Sequence, residues 1–279
     1  MITNSIVSVI TPVYNASKFI SRLLECVASQ DLVVCEHILV DDCSQDDSYT
    51  LLCEAAVNYP NIKVARLPKN SGPVFARNEA IKMASGKYLA FLDADDYWMP
   101  NKLATQVSFM EENNAALTFS DYRFISEDGK LIGYRISGFH KIGLSLHHMT
   151  RYLGCLTIMV NREKVPDFQF PNISPAYRAE DFLAWTRVIE KTGPALRCPH
   201  DLARYSRVVN SRSSISHQSS RSVWDLYTKI EAIPMVKAVP FFICYVLFST
   251  FKRIWYRPQF KSSLIDGELS NSYLLDDKK

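Results

Sequence analysis

The chain lacks several features that would have settled its class at once. No two of its seven cysteines (26, 35, 43, 53, 155, 198 and 244) have Cys-x-x-Cys spacing, which removes a zinc finger or a dithiol redox pair. An odd, scattered set argues against a disulfide framework, so reduced and mostly buried thiols of a cytosolic protein are expected. Charge of one sign is also missing: 32 basic residues against 29 acidic ones leave +3, too little to imply a nucleic-acid partner. Glycine is scarce, with nine residues, and there are no internal repeats or low-complexity tracts. With 47% hydrophobic and 22% charged residues, the composition is that of a globular chain rather than a disordered one. The first apolar stretch, residues 6–13, is short, contains Ser8 and Pro12 and has no basic leader, so it reads as a buried strand and not a signal peptide.

What is present is a regular alternation from residue 6 to about 125. Residues 6–10, 36–40, 62–65, 88–92 and 116–119 are apolar and rich in β-branched side chains, as buried strands are. Between them, apolar residues recur at helical spacing, first at Phe19, Ile20, Leu23, Leu24 and Val27. Ser44 with Asp47 resembles a capping box for a helix carrying Leu51, Leu52, Ala55 and Ala56. Pro73 opens a helix that Gly86 is expected to close, and Pro100 opens another. Such alternation predicts an α/β fold, a mostly parallel central sheet flanked by helices on both faces. Ligands of these sheets bind at the carboxyl ends of the strands. Asp41-Asp42 and Asp93-Asp95-Asp96 both fall there. Asp128-Gly129 signals a hairpin, residues 179–191 have helical periodicity, and the serine-rich stretch 211–222 reads as a loop.

Asp93 and Asp95 stand two apart beyond an apolar strand, so both side chains point the same way in extended chain. Adjacent carboxylates repel unless a cation joins them, and hard oxygen ligands suit Mg²⁺ or Mn²⁺ shared with substrate phosphates. Asp-x-Asp is common by chance, and the plainer reading is an acidic loop in which Asp96 caps the next helix. Glu180-Asp181 likewise falls where acidic residues favour the positive end of a helix.

Four blocks together carry a resemblance. Ser8-Val-Ile-Thr-Pro-Val-Tyr-Asn15, Leu39-Val-Asp-Asp-Cys-Ser-Gln-Asp46, Gly72-Pro-Val-Phe-Ala-Arg-Asn78 and Phe91-Leu-Asp-Ala-Asp-Asp96, continued by Trp98-Met-Pro-Asn-Lys-Leu103, resemble the family 2 glycosyltransferases of GT-A fold, over about residues 5–215. The resemblance implies an inverting, metal-dependent transferase using a nucleotide-sugar donor, most simply UDP-linked. Pro12, Tyr14 and Asn15 would line the nucleotide pocket. Asp42 would accept a hydrogen bond from the base, and Arg77 would grip base or diphosphate. Asp93 and Ala94 would meet the ribose or sugar, and Asp95, with Asp93, would hold Mn²⁺ or Mg²⁺. Asp181 would be the general base, with Glu180 and Trp185 shaping the acceptor site. Cys43 departs from the glycine or asparagine usual at its position. The histidine that many relatives carry after the last domain strand is absent from Tyr205-Ser-Arg-Val-Val-Asn210; His217, Arg207 and Arg212 are the substitutes, with a solvated His217 as the plain alternative.

The tail lies outside the resemblance. Residues 238–251 are apolar apart from weakly polar positions, broken by Pro240 and bordered by Lys237, Lys252, Arg253, Trp255, Tyr256 and Arg257. The run is short of the about 20 residues that cross a bilayer. It suits a helix lying in the headgroup region of an anionic membrane, or one packed on the domain. The expected organisation is therefore a GT-A domain over 1–220, with a nucleotide-binding half (1–121) and an acceptor-binding half (122–220), then a helical, membrane-associating tail (221–279). The protein would sit in the cytoplasm on the inner face of the cell membrane, where a lipid-linked glycan of polysaccharide or lipopolysaccharide assembly would be its acceptor. A nucleotidyltransferase would need a glycine-rich, basic first loop, which residues 8–15 do not provide. A non-catalytic partner subunit would have lost carboxylates that this chain keeps.

Overall fold

The computed structural model describes residues 7–32, 36–126, 131–173, 179–207 and 219–255. Four strands build the first half of the sheet: β1 (Val7–Val13), β2 (Glu36–Asp41), β3 (Ile62–Arg66) and β4 (Tyr88–Phe91). They run parallel in the order β3-β2-β1-β4. β2 and β4 are buried at every position, as the apolar run of β4 and the Ile38-Leu39-Val40 centre of β2 foreshadow. Their side chains alternate between two cores. Val7, Val9, Leu39, Tyr88 and Ala90 pack on one side with α1 (Ile20–Ala28), α2 (Ser48–Asn58) and α4 (Lys102–Glu112). Ile10, Ile38, Val40, Leu89 and Phe91 pack on the other with α3 (Pro73–Met83) and α6 (Glu180–Thr192).

Beyond β4 the sheet becomes mixed. A two-residue strand β5 (Tyr97–Trp98) precedes α4, and the long β6 (Leu117–Ser126) follows it. β7 (Leu131–Ile136) pairs antiparallel with β6; the hairpin signal at Asp128-Gly129 between them lies outside the described residues. A short β8 (Lys141–Ile142) leads into α5 (Leu144–Thr150), and β9 (Ile158–Asn161) runs against both β4 and β6. β10 (Ala195–Arg207) lies parallel to β6 and accepts β5 on its far side. Strands β3, β2, β1, β4, β6 and β10 thus point one way, while β9, between β4 and β6, and the edge strands β5, β7 and β8 oppose them. Because β2, β1 and β4 are neighbours, the loops that leave their carboxyl ends are neighbours too.

Local chemistry moves some expected boundaries. α2 begins at Ser48, after the place Ser44 had suggested, because the side chain of Asp46 accepts from the Ser48 backbone N–H at 3.0 Å. No side-chain cap comes from Asp47, the residue that precedes the helix. α3 stops at Met83, short of Gly86, whose N–H instead donates to Ser8 Oγ at 2.9 Å. Six cysteines are described and all are free, but only Cys26 and Cys198 are buried.

After β10 the chain returns as α7 (Ser219–Asp225), a π-helical turn (Leu226–Ile230) and α8 (Met235–Trp255). These pack on α6 through Ala179, Phe182, Leu183, Val223, Leu226, Tyr227 and Ala238, so the tail docks on the domain along one face. Another face keeps Val236 (81% exposed), Ile243 (52%) and Leu247 (64%) in solvent. Among the described residues no helix is long and apolar enough to cross a membrane.

Two histidines are enclosed in this framework. His37 meets Thr11 Oγ1 at 3.0 Å, His147 meets the Phe182 carbonyl at 3.0 Å, and burial pushes both from 6.5 down to about 3. The unfolded chain therefore binds protons that the folded one refuses, and stability must fall as pH drops from about 6.5 toward 3. Glu36, hydrogen-bonded to Lys63 and held near 2, adds its own loss only below the usual carboxylate range. Urea unfolding between pH 7 and pH 5 is expected to show a larger stability loss in the native protein than in a His37→Gln, His147→Gln double variant; equal losses would contradict this assignment.

Candidate active site

The site begins where β1 and β2 end. Asn15 takes a left-handed backbone (φ 47°), as does Cys43 (φ 60°), and these two turns bring the loops together. The Asn15 N–H donates to Ser44 Oγ at 3.0 Å, Gln45 N–H donates to Asn15 Oδ1 at 2.8 Å, and Ala16 N–H donates to Ser48 Oγ at 2.9 Å. Asp41 is fully buried and paired with Arg66 at 3.1 Å, so it supports the loop from below. Both oxygens of Asp42 accept backbone N–H groups, from Ser71 (2.7 Å) and Gly72 (2.8 Å), which fixes the entry to α3. Tyr14, 47% exposed, stands at the open edge.

The acidic loop follows β4. Arg77 on α3 is buried over the Phe170 ring and donates to Asp93 Oδ1 at 2.6 Å. Burial opposes its charge, and the Asp93 carboxylate more than restores it, holding the guanidinium above its usual range. Arg77 is therefore buried and paired with Asp93, not the solvated cation that a helix surface position alone would give. Asp95 carries the loop outward, its carbonyl held by Arg22 Nη2 at 2.7 Å. Burial and then the nearby Asp93 push its carboxyl up to about 6. Asp96 is buried and accepts from Ser206 N–H of β10 at 2.8 Å, so it ties the loop across the sheet rather than capping α4, whose first flanking residue is Asn101. Burial, Asp95 and Asp93 raise it well above the ordinary carboxylate range. Ala94 is buried between the acids.

From the other half, α6 brings Glu180 and Asp181 in its first turn. Asp181 Oδ1 accepts from the Phe182 N–H at 2.7 Å. Burial and Glu180 raise its carboxyl, while Arg151 and Arg77 pull it back. The Cys155 thiol feels Arg77, Asp93, Asp181 and Glu180 together, and burial raises it well above its usual value. This common neighbour brings the Arg77–Asp93 pair and the α6 carboxylates around one locus. Trp185 is not at the surface: it is fully buried, stacked on Phe168 at 5.7 Å and tilted against Phe91 at 5.7 Å. Its ring packs beneath β4 and does not reach the surface, because position 185 faces the sheet. Arg207 ends β10, while Arg212 and His217 lie outside the described residues. Arg22, Ser206 and Arg151 were missed by sequence reasoning, since each is recruited by the fold from outside the motif blocks.

The donor set suits a hard divalent cation: three crowded carboxylates, two with raised proton affinity, beside Arg77 and Arg22. Among the described residues no group of three or more His, Cys, Asp or Glu side chains closes on one point.

A mixed, mainly parallel sheet with an acidic loop at its carboxyl edge defines a GT-A transferase fold. The chain superposes on Staphylococcus aureus TarS residues 1–349, solved in complex with UDP-GlcNAc, with a TM-score of 0.67 and 23% identity over 90% of this chain and 73% of that one. The family model described as Glycosyl transferase family 2 matches residues 8–165. TuaG of Bacillus subtilis (strain 168), whose name assigns it provisionally to teichuronic acid biosynthesis as a glycosyltransferase, is 34% identical over 249 residues, 89% of this chain and 98% of TuaG. WfgD of Escherichia coli, named a UDP-Glc:α-D-GlcNAc-diphosphoundecaprenol β-1,3-glucosyltransferase, is 29% identical over 83% of this chain and 89% of its own. The chain belongs to glycosyl transferase family 2 and is a glycosyltransferase.

The left-handed turn at Cys43 explains why glycine or asparagine suits that position, since a Cβ there costs about 1–2 kcal/mol. Cys43→Gly is expected to raise stability by about 1 kcal/mol once the greater freedom of the unfolded glycine is subtracted. Thermal unfolding should show a gain of about 2–4 °C; a loss would reveal packing by the thiol that outweighs the strain.

Proposed function

We propose that the protein transfers a sugar from a UDP-linked donor, with inversion, to a hydroxyl of a lipid-linked glycan during assembly of a bacterial surface polysaccharide or lipopolysaccharide. The observation that carries this reading is the meeting of the Arg77–Asp93 pair and Asp181 around Cys155, donor-side and acceptor-side carboxylates at one sheet edge. WfgD is named for a UDP-Glc donor and a diphosphoundecaprenol-linked acceptor, and TarS was solved with UDP-GlcNAc, which supports both substrate classes.

Pro12, Tyr14 and Asn15 form the wall for the nucleotide, and Asp42 keeps the β2 loop and the start of α3 in register while offering its remaining lone pairs to the base. Arg77 holds Asp93 toward the ribose or sugar. Asp95, with Asp93, would hold Mn²⁺ or Mg²⁺, whose charge would offset that of the departing diphosphate. Asp181 takes the proton from the acceptor hydroxyl as that oxygen attacks the anomeric carbon on the side opposite the leaving group; its raised proton affinity suits a general base. A single displacement of this kind inverts the anomeric centre. Residues 221–279 act as an appended segment. The exposed apolar residues of α8, with Lys237, Lys252 and Arg253 at its ends, support attachment to an anionic membrane surface on the cytoplasmic side.

The test is a panel of UDP-, dTDP- and GDP-sugars with and without Mn²⁺, followed by thermal shift and nucleotide release. A metal-dependent response to UDP-sugars that is lost in Asp95→Ala is the expected result; folded protein that binds no nucleotide would sink the reading. Asp181→Asn is expected to slow sugar transfer by at least about 10²-fold while still binding the donor, and a transfer rate unchanged in that variant would remove Asp181 from the role of base.

A further inference from the structure

Arg151 is a cation without an ion-pair partner among the described residues, at the junction of three helices. It follows α5 as the residue that ends it, and its N–H donates to the His147 carbonyl. Its guanidinium lies over the Phe182 ring of α6 at 4.9 Å and over the Tyr245 ring of α8 at 5.9 Å. Among the described residues it makes no side-chain hydrogen bond and no ion pair, although Asp181 is close enough to feel its charge. An arginine stacked on aromatic faces keeps its planar fork of N–H donors free at the edge, a shape that matches phosphate oxygens.

Its backbone adds a second observation. Arg151 has φ 45° and ψ 48°, a left-handed helix end that glycine or asparagine takes with less strain. The corner is also held rigidly. His147 stacks on Phe182 at 4.4 Å, His148 stacks on Phe241 of α8 at 5.3 Å, and His148 Nε2 pairs with Glu231 at 2.8 Å. Tyr227 donates its hydroxyl to the His148 carbonyl. Glu231 is thereby occupied by His148, so the acid on the tail side is not drawn to Arg151. Asp181 precedes the Phe182 whose ring Arg151 covers, and Tyr245 belongs to the docked face of α8, turned away from the exposed Ile243 and Leu247.

We propose that Arg151 binds the diphosphate of the lipid-linked acceptor, with the acceptor hydroxyl at Asp181. This rests on the transferase reading above and adds to it the residue that recognises the acceptor's charged group. Arg151 then selects acceptors by the charge of their diphosphate.

The experiment is calorimetric binding to the full chain with saturating UDP present, so that the donor side is filled. The probes are farnesyl diphosphate, farnesol, inorganic pyrophosphate and phosphatidylglycerol vesicles. The native protein is expected to bind farnesyl diphosphate more tightly than farnesol, and Arg151→Asn to weaken that binding at least about tenfold without changing vesicle binding. Asparagine tolerates the left-handed turn, so this variant retains the fold. Arg151→Lys, which keeps stem and charge but not the fork, is the second variant and is expected to lose at least about threefold. The proposal is overturned if the native protein does not bind farnesyl diphosphate, or if Arg151→Asn binds it as tightly as the native protein. It is overturned equally if vesicle binding falls in parallel, because Arg151 would then be a membrane anchor. A role limited to orienting Asp181 would leave all four affinities unchanged. Failure of the transferase reading shows separately, as absence of nucleotide-sugar binding in the native protein.

Discussion

A guanidinium buried in an apolar core must find an anion, and Arg77 finds Asp93. Much of the site follows from that requirement. Arg77 rises from α3 on one face of the sheet and lies over Phe170, which meets Phe91 of β4 and Trp185 of α6 in one aromatic cluster. The side chain that orients Asp93 therefore rests on the packing that positions α6 and its Asp181. A change in that cluster would disturb both, although none of its rings reaches the surface.

The three carboxylates of the acidic loop are held differently, and the differences sort their tasks. Asp93 is 37% exposed and neutralised by arginine, Asp95 is lifted by burial and by Asp93, and Asp96 is spent on a backbone N–H of β10. Only the middle residue combines an unspent charge with a position beside the open edge. Sequence spacing could not separate them, because all three look alike within Asp-Ala-Asp-Asp.

Elements with strong periodicity were legible. Strands β1 to β4 and helices α1, α3 and α6 fall close to where apolar patterns put them, and the four motif blocks converge at the sheet edge. Other features were written in contacts between distant residues. The short β9 wedges between β4 and β6 with no turn signal to announce it. Trp185 looked available because it follows Asp181 by one helical turn, yet the sheet lies beneath it. Arg22 and Arg151 carry no motif; only the folded chain shows that one holds the Asp95 carbonyl and the other faces Asp181. The tail offered two readings, a docked helix and a membrane-facing one, and α8 has a face suited to each.

The bond from Ser206 to Asp96 spans 110 residues of chain. During synthesis the acidic loop emerges long before the strand that ties it down, and until β10 joins the sheet the Asp96 carboxyl lacks the Ser206 N–H from which it accepts. Ribosome-bound chains that stop short of residue 206 carry all four motif blocks without that tie. The order of the acidic loop is thus coupled to the last long strand of the sheet to be made.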